Sequence, residues 1–523
     1  MAPNISVIKF EDATGGLNLR ANQFTLAKNE SPDLLNVDVD PRGGFRLRKG
    51  VEPWGVADAG TAIHSLIPFT TSTGTAQLVA GWGTTTVKYT TGATWSTIKT
   101  DQTVSRPFSA YVYLDTLFIQ NGTDQPIKWT GSAASRLTQS FADDFDAPGS
   151  GKQPIARCTA VFHEHIFLAN TYESSVRYPN RVRWSHPGNP EAWRTVDYQP
   201  IEDGLDGDEI MAMASFGDQL LVLKKNSTHV VMGYAWDSFQ FDNVASGVGA
   251  CGPKAWCVTP GGVYYWSWPE GPVLFDGKGV SLVGERLRPL MDENIIDSSR
   301  RADITMGYID NRVWCTVPVR GTQYETYVYD PSVGRQGAWV RYDLAAGDYA
   351  RWQPDGAAHA ELFSKRGSGH VLRADTVNHS QDVLTVGGAN TNIAAHYVTP
   401  WFDGGSPPNR KRWRRPVVVY YVEGLGDVTV SVFYDYDASD PRRSTHHRIT
   451  AENGSAVFDT AGSVFDGTDD DDLFAAAGAN HRVVRGASLG SARAVQLRFD
   501  GPVGPVLWGV DSISLPVIPR RIH

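Results

Sequence analysis

Methionine is scarce in this chain, with 6 in 523 residues, and cysteine is scarcer still at four. Cys158, Cys251, Cys257 and Cys315 sit inside apolar runs such as Val313-Trp314-Cys315, and no CxxC pair offers the spacing of a zinc site. They are expected to be reduced core residues. Positive charge is also short: 48 Lys and Arg against 57 Asp and Glu leave a net charge of −9. That balance argues against a surface that grips nucleic-acid phosphates, although nucleic acid can still slide past a repelling wall. No run approaches the roughly 18 apolar residues of a membrane span. The opening MAPNISVIKFED lacks an apolar core and a cleavage pattern, so no signal peptide is expected and the chain is expected to fold in a reducing cytoplasm. No segment sustains a helical period.

What is abundant points to strands and turns: 52 Gly, 16 Trp and 20 Tyr. From about residue 60 a repeat appears. Tyr113-Leu114-Asp115-Thr116-Leu117-Phe118 aligns with Phe162-His163-Glu164-His165-Ile166-Phe167, Phe216-Gly217-Asp218-Gln219-Leu220-Leu221 and Tyr308-Ile309-Asp310-Asn311-Arg312-Val313. Each has an aromatic, a spacer, an acid, a spacer and an apolar run. The acid is placed at a hairpin turn, where its carboxylate can accept from local N–H groups. Val258-Thr259-Pro260-Gly261-Gly262-Val263 is a glycine version. A second signature follows each hairpin: Val87-Lys88-Tyr89, Ile127-Lys128-Trp129, Val182-Arg183-Trp184, Val230-Val231-Met232, Val273-Leu274-Phe275, Tyr327-Val328-Tyr329 and Val371-Leu372-Arg373. The spacing of about 40 to 55 residues fits four short strands per unit.

Such units bury both faces only by stacking radially into a closed ring. The expected fold is therefore all-β: an extended arm over 1–58, a β-propeller of about six to eight blades over 59–385, and a β-sandwich over 386–523. The alternative is a pair of sandwiches. The sandwich is read from alternating runs such as Asp427-Val428-Thr429-Val430-Ser431-Val432-Phe433 and Val510-Asp511-Ser512-Ile513-Ser514-Leu515.

Candidate chemistry is sparse. His163-Glu164-His165 puts two imidazoles on one side of a strand, but it falls on the repeat's turn, so no metal is expected. The acidic stretches 202–209 and 466–472 do not match an EF-hand loop. Arg410, Lys411, Arg412, Arg414 and Arg415 surround Trp413 in a basic cluster, which is read as a partner contact. Neither a GxSxG elbow nor the repeated Asp-box of sialidase-type propellers is present. No enzyme activity and no cofactor are expected.

The arm carries a resemblance. Gly15, Gly16, Leu17, Asn18, then Leu35, Asn36, Val37 and Asp40, then Leu47, Arg48, Lys49 and Gly50 resemble the start of a group of bacteriophage virion proteins. Trp184-Ser185, Gly188-Asn189-Pro190-Glu191-Ala192-Trp193, Gly247-Val248-Gly249-Ala250 and Phe275-Asp276-Gly277 extend it. The nearest likeness is to the tail nozzle, or stabilisation, proteins of short-tailed phages. The resemblance implies a non-enzymatic structural protein of the virion tail, assembled in the host cytoplasm. It implies a homo-oligomeric, six-fold ring below portal and adaptor, through which genomic DNA leaves without specific binding. The alternatives are a minor tail-tip protein of a long-tailed phage that binds a host receptor or glycan and, further off, a glycan depolymerase. The arm residues Gly15, Gly16, Leu17, Asn18, Leu35, Asn36, Val37, Leu47 and Arg48 are expected to contact a neighbouring subunit or the adaptor. Deleting 1–50 would then block assembly and leave the propeller folded.

Overall fold

The computed structural model describes residues 5–519 apart from 57–60, 84, 93, 104–105, 138, 141–148, 151–153, 174–175, 202–207, 236, 322, 375–379 and 451–480. Among the described residues strands dominate, and no helix is long and apolar enough to cross a membrane.

Seven antiparallel sheets form a β-propeller. Their innermost strands are Ile63–Thr70, Ser109–Tyr113, Ile155–Phe162, Ile210–Phe216, Trp256–Thr259, Thr305–Ile309 and Ala346–Trp352. We number the blades 1 to 7 in that order. The inner strand of blade 7 packs back against that of blade 1, which closes the ring. Apolar side chains fill the spaces between blades: Phe69, Val79, Leu117 and Trp129 between blades 1 and 2, and Leu221, Leu223, Val263 and Phe275 between blades 4 and 5. The second strand of each blade shows a face to both neighbours and is buried on both sides, as in Ala76–Trp82.

The hairpin repeat is the turn between the first and second strands of a blade. Leu114 and Asp115 both have positive φ, 44° and 56°, as do His163 and Glu164, and Asp310 and Asn311. Two successive left-handed residues make the tight turn whose twist matches the flanking strands, and Asn, Asp and Gly tolerate it best. Backbone conformation thus selects these residues, and not the side-chain bonds to backbone expected from the acid alone. Blade 6 also corrects the alignment by one residue. Its turn is Asp310-Asn311 between Ile309 and Arg312, so Asn311 stands where Asp115 stands in blade 2. The second signature lies on the third strand of every blade, from Thr86–Thr90 to Val371–Arg373.

Blade 7 takes its fourth strand from the other end of the chain. Glu52–Trp54 pairs with Val371–Arg373, Pro53 opposite Leu372. Glu52–Trp54, inside the expected arm, therefore completes the propeller and is not separate from it. Proline suits this edge, because it has no N–H to leave unpaired.

Two sheets form the C-terminal sandwich. One orders Leu34–Leu35, His396–Val398, Val495–Asp500, Leu425–Tyr434 and Arg443–Thr450. The other is centred on the long strand Leu507–Pro519, flanked by Val417–Glu423 and Lys411–Trp413 on one side and by Ser6–Phe10 and Phe45–Leu47 on the other. Phe45, from the arm, is fully buried between them, stacked 4.0 Å from Tyr397 and edge-on to Trp508. One continuous apolar core runs from Trp266 in blade 5 through Trp314 and Trp339 in blade 6 to Phe45, Tyr420 and Trp508.

Candidate functional site

The arm motif forms a joint inside this one chain. Gly16 has φ 62° and its Cα faces the edge of blade 6, where a Cβ would lie 2.6 Å from the Trp339 carbonyl oxygen. At Gly15 a Cβ would meet Glu30 Cγ at 2.5 Å. Glycine is needed at both because the backbone runs this close to its neighbours. Leu17 is buried, and Asn18 Nδ2 donates to Glu30 Oε2 at 2.8 Å while its Oδ1 accepts from the Arg20 and Ala21 N–H groups. Gly16–Leu17 and Glu30–Ser31 add two parallel strands to blade 6.

Asn36 and Arg48 are the centre of the joint. Asn36 sits at φ 55°, a conformation asparagine adopts more readily than most residues. Its N–H donates to the Arg341 carbonyl in blade 6, and its Nδ2 donates to the Ala394 carbonyl at 2.7 Å. Its Oδ1 accepts from Arg48 Nε at 2.8 Å and from the Asp343 N–H at 3.2 Å. Arg48 is 1% exposed and donates both terminal nitrogens to Asp382, at 2.9 and 2.6 Å. Burial works against its charge, but Asp382 and Asp343 outweigh this and raise its pKa. Asp382 lies in the segment that leads from propeller to sandwich, and it also accepts from the Val51 N–H. Val37 and Leu47 are buried opposite each other, and Leu35 pairs with His396 at the sandwich edge.

The nine residues expected at a neighbouring subunit are engaged by the chain's own blade 6 and sandwich. Deleting 1–50 would remove Phe45 from the sandwich core and the extra strands from blade 6. The remaining resemblance motifs are also structural. Trp193 fills the space between blades 2 and 3, a Cβ on Gly249 would strike the Lys224 carbonyl at 2.2 Å, and Asp276 Oδ1 accepts from the Lys278 and Gly279 N–H groups.

Period-two alternation splits the basic cluster. Lys411 and Trp413 point inward. Lys411 Nζ donates to the carbonyls of Ser406, Asn409 and Arg493, and Trp413 Nε1 donates to the Ala492 carbonyl at 3.1 Å. Arg410, Arg412, Arg414 and Arg415 are exposed. Arg410 lies 3.8 Å from Asp435, and the other three have no carboxylate partner among the described residues. Lys411 therefore leaves the expected contact set and becomes a cap for three carbonyls.

The two imidazoles of the 163–165 triplet are not brought together. His165 is buried, bonded through Nδ1 to the Ser185 carbonyl, while His163 occupies the turn against Tyr234. Of the first acidic stretch, Asp208 accepts from the Asn226 N–H and Ser227 Oγ, and Glu209 pairs with Arg157 and Arg177. Residues 202–207 and 466–472 lie outside the described residues. The four cysteines are free and buried; burial pushes the Cys158 and Cys251 thiols up to about 12.

One feature was not singled out from sequence. Where the inner strands begin, the propeller axis opens into a cavity of about 710 Å³ lined by residues of all seven blades. Its charged residues are Arg106, Arg157, Glu209, Lys254, Asp303 and Arg366, with His64 beside them. Most of them lie at or just before the start of an inner strand, and that shared register was the available signal. Lys254 Nζ is 2.9 Å from Asp348 Oδ2, which also accepts from the Leu66 N–H. Burial and then the charge of Lys254 push His64 down to about 4, so it is neutral at neutral pH.

No protein-family model and no curated protein matches the chain. Solved structures similar to it include BamB from Moraxella catarrhalis, 8% identical over 71% of this chain and 97% of that one, with a TM-score of 0.38. Sqt1 from Saccharomyces cerevisiae is 6% identical over 62% of this chain and 99% of that one, with a TM-score of 0.41.

Proposed function

We propose that this protein is a non-enzymatic structural component of a bacteriophage tail, a nozzle-like subunit of a homo-oligomeric ring below portal and adaptor. What supports the reading is the place of the resemblance motifs. Gly15, Gly16, Asn18, Asn36 and Arg48 lock the propeller and the sandwich to one another through hydrogen bonds and close backbone approach. A subunit that must hold its shape while genomic DNA passes needs such a joint more than it needs a mobile hinge. The exposed arginines 410, 412, 414 and 415 supply a face for an acidic neighbour, and the net charge of −9 supplies a wall that does not retain DNA.

The test is mass spectrometry of purified virions, with light scattering on the purified chain alone and mixed with portal and adaptor. The expected result is the chain in the tail fraction and a ring-sized assembly in the mixture. Absence from virions, or a monomer under every condition, would overturn the proposal.

A further inference from the structure

The axial mouth carries more positive charge than its own pairing uses. Four cations line it, Arg106, Arg157, Lys254 and Arg366, against Glu209 and Asp303, and Asp348, outside the lining, takes up Lys254. This surplus sits in an acidic chain, so it does not follow from composition.

The surplus has two poles. At blades 2 and 3, Glu209 is shared between Arg157, at 3.3 Å, and Arg177. Arg106 adds a third guanidinium, which donates to Thr123 Oγ1 at 3.2 Å and has no carboxylate partner among the described residues. Burial depresses the pKa of Arg157, and the charges of Arg177 and Arg106 depress it further. At blades 6 and 7, Arg366 and Arg300 lie 3.9 and 4.6 Å from the centre of the Tyr324 ring. Both depend on Asp303, at 3.8 and 3.5 Å. In a closed ring of seven, blade 6 stands opposite the gap between blades 2 and 3. The poles therefore face each other across the axis.

We propose that the mouth binds a small polyanion with at least two phosphate or carboxylate groups, one held by Arg106 and Arg157 and another by Arg366. The guanidinium fork donates to two oxygens of either group, and the walls of the recess strengthen the attraction by excluding water. Neutral His64 leaves the recognition to groups that stay charged at every ordinary pH. The site is independent of the tail assignment, because it is measured on the purified full-length chain.

The experiment is isothermal titration calorimetry of the full chain at low salt with inorganic triphosphate and, separately, with citrate. Arg106→Gln and Arg366→Gln are compared with Arg448→Gln, an exposed arginine on the sandwich strand Arg443–Thr450. At least one probe should bind with a dissociation constant below about 1 mM. Either mouth substitution should weaken it at least tenfold, Arg448→Gln should leave it unchanged, and added salt should weaken it. Binding of triphosphate alone assigns a phosphate ligand, binding of citrate alone a carboxylate ligand, and equal binding recognition by charge. Arg106 is exposed, so Arg106→Gln decides the matter even if Arg366→Gln fails to fold. No saturable binding of either probe, or binding indifferent to Arg106→Gln, overturns the site.

Discussion

Arg48 shows how one side chain can govern this molecule. Its guanidinium is buried and fully committed: Nε to Asn36, and the two terminal nitrogens to Asp382. Replacing it with methionine keeps the volume but strands Asp382 without its partner, which costs about 3–5 kcal/mol. We expect a lower denaturation midpoint for Arg48→Met, and little rescue by Arg48→Lys, since an ammonium cannot serve two carboxylate oxygens and Asn36 together. His447 makes a second prediction. It is buried in the sandwich, bonded at 2.7 Å to Tyr420 Oη, and burial pushes its pKa down to about 4. In the unfolded chain it protonates near 6.5. The fold thus prefers the neutral ring, and the stability this contributes is complete above pH 6.5 and drains away as pH falls toward 4. The loss is up to roughly 3 kcal/mol. Melting temperature followed from pH 7 to pH 4 should fall less steeply for His447→Gln than for the unaltered chain; parallel slopes would refute this assignment.

At the scale of elements, the strand Glu52–Trp54 decides whether the propeller is closed. It belongs to blade 7 although nearly the whole ring separates it from Val371–Arg373 in sequence. Glu52 and Arg373 lie directly opposite, so cysteines at both positions should form a disulfide in oxidising buffer. Locking so long a loop stabilises by about 6 kcal/mol in the chain-entropy view. The four native cysteines, buried and resistant to ionisation, should not compete. The expected result is a rise in unfolding temperature that a reductant reverses; no rise in the cross-linked protein would mean that this pairing does not limit stability. The same strand marks what was legible in the sequence. The third-strand signatures identified all seven blades, because the alternation and the turn residues are local. Glu52-Pro53-Trp54 has no repeat partner in sequence, and its role comes only from a contact made across the ring. The joint shows the same division. Gly16, Asn36 and Arg48 stood out as motif residues, but which surface they bind depends on Asp382 and Arg341, hundreds of residues away. The cationic mouth escaped notice because it is assembled from single residues of separate blades.

For the whole molecule, the continuous core implies that propeller and sandwich do not unfold separately. Apolar packing runs unbroken from Trp266 and Trp339 through Phe45 to Trp508, and the arm is threaded through both halves. Domains that merely touch would open independently, whereas halves sharing a core and a strand-forming arm should open together. Phe45→Ala tests this, because the rings that Phe45 packs against, Tyr397, Phe499 and Trp508, all belong to the sandwich. Emptying its site costs about 3–5 kcal/mol. Hydrogen exchange followed by mass spectrometry can then be compared on two strands, Leu507–Pro519 in the sandwich and Arg312–Pro318 in blade 6. If the halves are coupled, exchange through global opening accelerates by a similar factor in both, although the cavity lies in one. Loss of protection confined to Leu507–Pro519, with Arg312–Pro318 unchanged, would show two units joined by a linker. The arm would then be a tether, and the rigidity that supports a role as a ring subunit would be lost.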